Sequence, residues 1–338
     1  MKAVIDREEF RLCEVPVPQG YPQSQTHCGV AMLNNVLFLS TSPFPNPKRN
    51  YKTIAKALIR KITRGKYYGH YGEYYENPCL YIGQPDNYPI SVFRLVPPAP
   101  LMRPPYPLFG MPSFNSDPDI FVDGDKICVL NRVTFRKKNG YFNQIFIIKG
   151  RYNDGLFFCD GYNLLTEAER CYISPCIIKY QNKWIITYLD TNSYNDGNTF
   201  KGLFIKEMSQ LVPFEDNNND WRRISLVGDN RLPWHMSLFL YEDKLYSIIS
   251  SVNRNDDHRC VQMLGVFNKD LTELYIYPRP LCDMNSYRGG AYVDEKGLFI
   301  FYTTTVHEKI KGSKAIDGRN VMVSSKPFDE IIKEAGKI

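Results

Sequence analysis

One carboxylate stands directly before a proline in SFNSDPDIFVDGDKICVLNR, residues 113–132. Proline lacks a backbone donor and fixes its own φ, so it belongs at the start or edge of a strand. That predicts Asp117 at a strand mouth, with its side chain available for chemistry. Four other stretches align under it without a gap, beginning at His27, Ser174, His235 and Arg288. A carboxylate, two histidines, a serine and an arginine at equivalent positions suit hydrolysis of a glycosidic bond, which needs one carboxylate as base or nucleophile and a second group as acid. Asp117 is the expected base. The expected acid is Glu76, just upstream of a proline-led strand in YYENPCLYI, or His235, which titrates near neutrality without a large shift.

The remaining candidates are substrate contacts. Arg288 is expected to hold a substrate carboxylate, sulfate or hydroxyl. His27, Asp119, Arg132, Ser174, Asp190 and Trp234 are expected around it. Plainer roles compete: Arg132 neutralising Asp117 or Asp119, and Asp190 capping its own turn. No ligand-spacing motif is present, so no cofactor is expected. The alternative is a divalent cation in the central cavity, held by His27, His235 and Asp117 if their side chains meet.

The shared register defines the elements that must position these groups. Three residues after each start stand Val30, Ile120, Ile177, Leu238 and Ala291; ten after stand Leu37, Ile127, Trp184, Leu245 and Leu298. Between them lie Asn35, Asp125, Asn182, Asp243 and Lys296, residues suited to turns. Each unit is therefore a hairpin whose apolar runs mark strands buried on both faces. Successive starts are 90, 57, 61 and 53 residues apart, which leaves room for two further strands per unit. Four strands repeated five times predict an all-β, five-bladed β-propeller spanning residues 1–338 as one domain, because a blade buries its faces only against its neighbours. An irregular all-β sandwich is the competing fold.

The long first interval holds an insertion at about 46–75. Within NYKTIAKALIRKITRGKYY, Ile54, Leu58 and Ile62 recur at helical spacing among six lysines and arginines, which predicts a basic helix in the first blade. It reads as a capping helix, as a clamp on an acidic polymer, as a docking surface for an anionic membrane, or as an assembly or homo-oligomer contact through 50–75. A second, short helix is expected at the C-terminal FDEIIKEAGKI.

Bulk composition narrows the class further. Net charge is +6, a mild excess that favours solubility and names no partner. Basic residues outside the insertion alternate with acids and form no nucleic-acid module, so no nucleic-acid partner is expected. No apolar run reaches the roughly 18 residues of a membrane span. The nine cysteines show no CxxC pair, which suggests reduced thiols. With no secretory leader evident in MKAVIDREEFRLCE, a cytoplasmic location is expected, or a virion-associated one if the gene is carried by a phage.

The hairpin pattern, and above all SDPDI at Asp117 and PWHMSLF at His235, resembles the five-bladed propellers of glycoside hydrolase families 43 and 117 and related bacterial and phage propellers. The resemblance implies an oligo- or polysaccharide partner and a glycosidase activity. Where family 43 implies acidic residues on three blades, the matching inner-strand positions here read His27, Asp117 and Ser174; the histidine acid implied by family 117 matches His235. A non-catalytic glycan-binding or structural propeller is the alternative, and a transferase or phosphorylase on similar sugars is a third possibility.

Overall fold

The computed structural model describes residues 2–19, 24–43, 77–84, 88–101, 114–137, 140–191, 200–217, 220–253, 256–305, 310–314 and 319–337. The basic insertion and Glu76 lie outside the described residues.

Apolar runs broken by short turns give twenty strands among the described residues. They are β1 (Arg11–Leu12), β2 (Gln25–Leu33), β3 (Val36–Pro43), β4 (Cys79–Gly83), β5 (Phe93–Val96), β6 (Phe114–Asp123), β7 (Lys126–Lys137), β8 (Gly140–Asn153), β9 (Leu156–Ala168) and β10 (Ile173–Tyr180). They continue as β11 (Lys183–Thr191), β12 (Phe200–Met208), β13 (Arg222–Gly228), β14 (Leu232–Tyr241), β15 (Lys244–Asn253), β16 (Asp256–Phe267), β17 (Glu273–Ile276), β18 (Ser286–Asp294), β19 (Gly297–Thr304) and β20 (Val321–Lys326). One α-helix follows among the described residues, α1 (Phe328–Ala335), which buries Phe328, Ile331 and Ala335 as the C-terminal sequence predicts. No described helix is long and apolar enough to cross a membrane.

The strands form antiparallel meanders β2-β3-β4-β5 and β6-β7-β8-β9, a four-stranded sheet β1-β20-β19-β18, and an eight-stranded sheet. In the last, β10 to β13 and β14 to β17 are joined through one parallel edge, β13 beside β17. The N-terminal strand β1 supplies the outer edge of the sheet that begins with β18, a closure only two residues long. Leading strands β2, β6, β10, β14 and β18 neighbour one another in that order, and β18 returns to β2.

The expected hairpin register holds. Its turns use left-handed backbone at Asn34 and Asn35, Gln181 and Asn182, and Glu242 and Asp243, matching the twist of the flanking strands. The second strands β3, β11 and β19 are buried along nearly their whole length. Five apolar clusters fill the spaces between neighbouring strand groups among the described residues. One of them packs Leu37, Leu39 and Tyr81 of the first sheet against Phe299, Phe301 and Val323 of the sheet closed by β1.

The structure corrects the placement of the Asp-Pro pair. Pro118 is inside β6 at a β-bulge, where the register slips between Ser116 and Asp119 and no ladder bond is required of residue 118. Comparable slips occur at Thr26/Gly29, Ile173/Cys176, Pro233/His235 and Ser286/Gly289, so every leading strand carries a bulge at the aligned position or, in β14, directly before it. Bulges re-aim side chains, and here they turn the aligned residues toward the axis.

Close approach of the leading strands requires glycine where they meet. A Cβ on Gly290 would lie 2.9 Å from the Val30 backbone nitrogen, and one on Gly29 would lie 3.2 Å from that of Ile120. Gly290→Val is therefore expected to lower unfolding stability by about 1–3 kcal/mol, the usual cost of overpacking. Urea denaturation would show this as a reduced midpoint; an unchanged midpoint would mean that β18 and β2 are not packed this tightly.

Candidate functional site

Asp117 is the centre of the axial cluster. It is 1% exposed and adopts φ of 55°, a left-handed conformation that aspartate tolerates better than most residues. Its Oδ2 lies 3.1 Å from Arg132 Nη1 and accepts the Ser174 N–H at 2.9 Å. Oδ1 faces the two imidazoles, 3.2 Å from His27 Nε2 and 3.9 Å from His235 Nδ1. Oδ1 is buried and makes no hydrogen bond of acceptable geometry despite this closeness. The two rings are 5.0 Å apart.

The neighbours hold this arrangement in place. Ser174 Oγ lies 2.8 Å from His235 Nδ1, its hydroxyl donating when that nitrogen is unprotonated. Thr26 Oγ1 lies 3.3 Å from His27 Nδ1. Arg132 also donates to the Tyr172 carbonyl, tying β7 to the start of β10. His27 and Ser174 share the left-handed backbone of Asp117, with φ of 51° and 44°. Such conformations cost roughly 1–3 kcal/mol each and persist where surrounding contacts over-determine them.

Arg288 takes a different place from the one expected. It is fully buried and reaches from β18 to β6 and β10. Nη1 donates to the Asp117 carbonyl at 2.9 Å, and Nη2 lies 3.0 Å from Asp119 Oδ1 and donates to the Pro175 carbonyl at 3.2 Å. Asp119, 6% exposed, is thus committed to Arg288 and to the Ile177 N–H at 3.4 Å. Both residues brace β6, β10 and β18 from within.

The other expected residues take different places. Trp234 stands beside the cluster, its ring 5.6 Å from His235. Asp190 lines a flanking cavity of about 560 Å³ with Glu167, Arg170 and Asp216. Glu76 belongs to the residues not described. Sequence reading missed Tyr287, whose ring lies 6.0 Å from both His27 and His235. The register held the clue: Tyr287 precedes Arg288 as Trp234 precedes His235.

Charge states follow from burial and neighbours. Burial pushes His27 down to about 4, with the Asp117 carboxylate pulling upward and Arg288, Arg132 and Arg319 adding to the fall. Burial likewise holds His235 well below its ordinary value, against the pull of Asp117. For Asp117 burial opposes ionisation, yet Arg132 foremost, with His27, His235 and Arg288, keeps its carboxyl well below the usual range. Burial raises Asp119 despite the opposing charge of Arg288. The mouth thus presents one anionic carboxylate oxygen between two neutral imidazoles. Those three residues offer ligand atoms that all lie within 4.8 Å of one another, a donor set suited to a divalent transition metal.

Neither a protein-family model nor a curated protein matches the sequence. Solved structures do. An N-acetylgalactosamine deacetylase from F. plautii, in complex with blood group B trisaccharide, superposes with a TM-score of 0.68 at 13% identity over 96% of each chain. CoXyl43, a family 43 β-xylosidase/α-arabinofuranosidase from a compost microbial metagenome, gives 0.55 at 12% identity over 94% of each chain. An α-L-arabinofuranosidase from Lactobacillus brevis gives 0.55 at 11% identity over 91% of this chain and 92% of that one. The chain has the fold of these β-propeller carbohydrate-active proteins.

A buried neutral histidine also makes stability depend on pH. Between about 6.5 and about 4 the unfolded chain protonates His27 and the folded chain does not. Stability is therefore lost as pH falls through that window and levels off below it, by on the order of 3 kcal/mol for this residue. Urea midpoints of metal-free protein at pH 7 and 5 should show the drop, and His27→Gln should lessen it. A midpoint constant across the window would contradict a neutral, buried His27.

Proposed function

We propose that this chain is a five-bladed propeller hydrolase acting on a glycan, and that His27, Asp117 and His235 hold a divalent cation at its axial mouth. In this reading the two halves of the eight-stranded sheet are two blades, and the others are the three four-stranded sheets. One observation carries the functional assignment: three buried ligand atoms from β2, β6 and β14 converge, and the carboxylate oxygen among them lacks a hydrogen bond. Fold similarity to sugar-active proteins supports the substrate class.

Bound there, a divalent ion would supply Lewis acidity and activate water for hydrolysis near neutral pH. Arg132 and the Ser174 N–H fix Asp117 Oδ2, which leaves Oδ1 directed at the imidazoles. Ser174 and Thr26 orient the two rings from their Nδ1 sides. Trp234 and Tyr287 offer flat faces beside the histidines, suited to stacking on a sugar. Arg288 and Asp119 act through position, since both terminal nitrogens of Arg288 and the Asp119 carboxylate are engaged inside the protein.

The deacetylase neighbour favours removal of an acyl group from an acylated sugar as the reaction. The family 43 neighbours favour a second reading, glycosidic cleavage with Asp117 as base and Glu76 or His235 as acid. Product analysis separates them: acetate from N-acetylhexosaminides against free sugar from xylosides or arabinofuranosides. Protein stripped with EDTA should regain turnover on adding Mn²⁺ or Zn²⁺. Asp117→Asn should abolish ion uptake and lower turnover at least about 100-fold, as loss of a preorganised charge in a dry site does. Full turnover after stripping, with no ion uptake by calorimetry, would reject the metal reading.

A further inference from the structure

The bulge on β18 takes Tyr287 out of the ladder: β18 pairs with β19 at Ser286 and again at Gly289, with no paired position between. Its carbonyl therefore needs donors from elsewhere. Two side chains of the adjoining sheet supply them, Gln262 on β16 through Nε2 at 2.7 Å and Ser250 on β15 through Oγ at 2.5 Å. Gln262 is wholly buried and Ser250 is 1% exposed. Gln262 Nε2 also reaches Ser250 Oγ at 2.7 Å and Ser286 Oγ at 2.9 Å, which ties the four residues into one network. A carbonyl only accepts, and this assigns the amide nitrogen to the Tyr287 side of Gln262.

The network bears on the mouth because Tyr287 forms part of its wall. The half-buried ring lies 6.0 Å from His27 and 6.0 Å from His235. The Arg319 guanidinium stands 5.7 Å from the ring centre, a cation–π contact that steadies it. Ser250 is also the register partner of His235 across β14 and β15. A residue that grips the Tyr287 carbonyl is thus fixed beside one of the histidines, and the spacing of ring and histidine is set from inside the protein. Gln262 spends its donors on this link; none of its hydrogen bonds goes to His27, Asp117 or His235.

We propose that Gln262 is a positioning residue for sugar binding: by holding the Tyr287 carbonyl together with Ser250, it sets the aromatic wall against which a sugar ring lies beside the histidines. The inference rests on the glycan reading of the mouth and adds to it the element that aims the wall. A ring fixed before the ligand arrives spares binding the cost of ordering it, so loss of the grip shows in sugar affinity. Ion uptake by His27, Asp117 and His235 does not depend on it.

Calorimetry on the full chain with N-acetylgalactosamine, xylose and xylotriose as probes tests it, under conditions where urea titration shows each variant fully folded. Gln262→Leu, which keeps the bulk of the side chain and removes its donors, should weaken the probe that wild type binds by roughly tenfold, or about 1.4 kcal/mol, with Mn²⁺ uptake unchanged. Ser250→Ala should cost less, because Gln262 still holds the carbonyl. Tyr287→Ala should weaken binding at least as much as Gln262→Leu, and combining the two should cost nothing further, since Gln262 acts through that ring. A merely structural Gln262 would lower the urea midpoint and leave the sugar affinity of the folded protein as it was. Undiminished binding in Gln262→Leu, or a full tenfold loss when it is added to Tyr287→Ala, overturns the proposal and leaves the glycan reading standing. Failure of wild type to bind any of the three probes overturns both.

Discussion

Everything at the mouth depends on keeping one carboxylate charged while it is almost wholly withdrawn from water. Burying Asp117 alone would favour its protonation; the Arg132 guanidinium and the Ser174 N–H reverse that preference. Both act on Oδ2, so the ionised group still has Oδ1 facing His27 and His235. Burial holds those histidines neutral, the form in which an imidazole ligates a metal. One buried anion thus sets the character of the cluster.

A second buried charge holds the anion in position. Arg288 spans the axis and ties β18 to the carbonyls of residues 117 and 175, with Asp119 as its counter-ion. Removing one member of such a pair costs about 3–5 kcal/mol, because the other is left charged and dry. The bulges make this geometry possible: an extra residue in each leading strand breaks the ladder locally and frees positions 117 and 174 to adopt left-handed backbone. Prolines at 118 and 175 occupy the unpaired places, where their missing N–H has no ladder bond to lose.

Much of this was legible as repetition. The aligned register brought His27, Asp117, Ser174, His235 and Arg288 to one end of the axis, and it located the turns. Direction was harder to read. Whether a residue at an aligned position faces the mouth or the interior depends on what the neighbouring strands leave open. For Arg288 the deciding partners are the carbonyls of residues 117 and 175 and the Asp119 carboxylate, which lie on two other strands. Asp119 was claimed by Arg288 from across the axis, and Asp190 lines a flanking cavity away from the cluster. The closing strand β1 is two residues long, too short for any periodicity to reveal. Pro118 misled because a bulge inside a strand excuses a missing donor as well as a strand edge does.

The account turns on His27, Asp117 and His235 forming a ligand set. Crystals soaked in Mn²⁺ and measured for anomalous scattering test this directly. The account predicts one dominant peak within coordination distance of His27 Nε2, Asp117 Oδ1 and a ring nitrogen of His235, absent in Asp117→Asn crystals. A well-ordered mouth with no peak there, or a peak that persists in the variant, would contradict it.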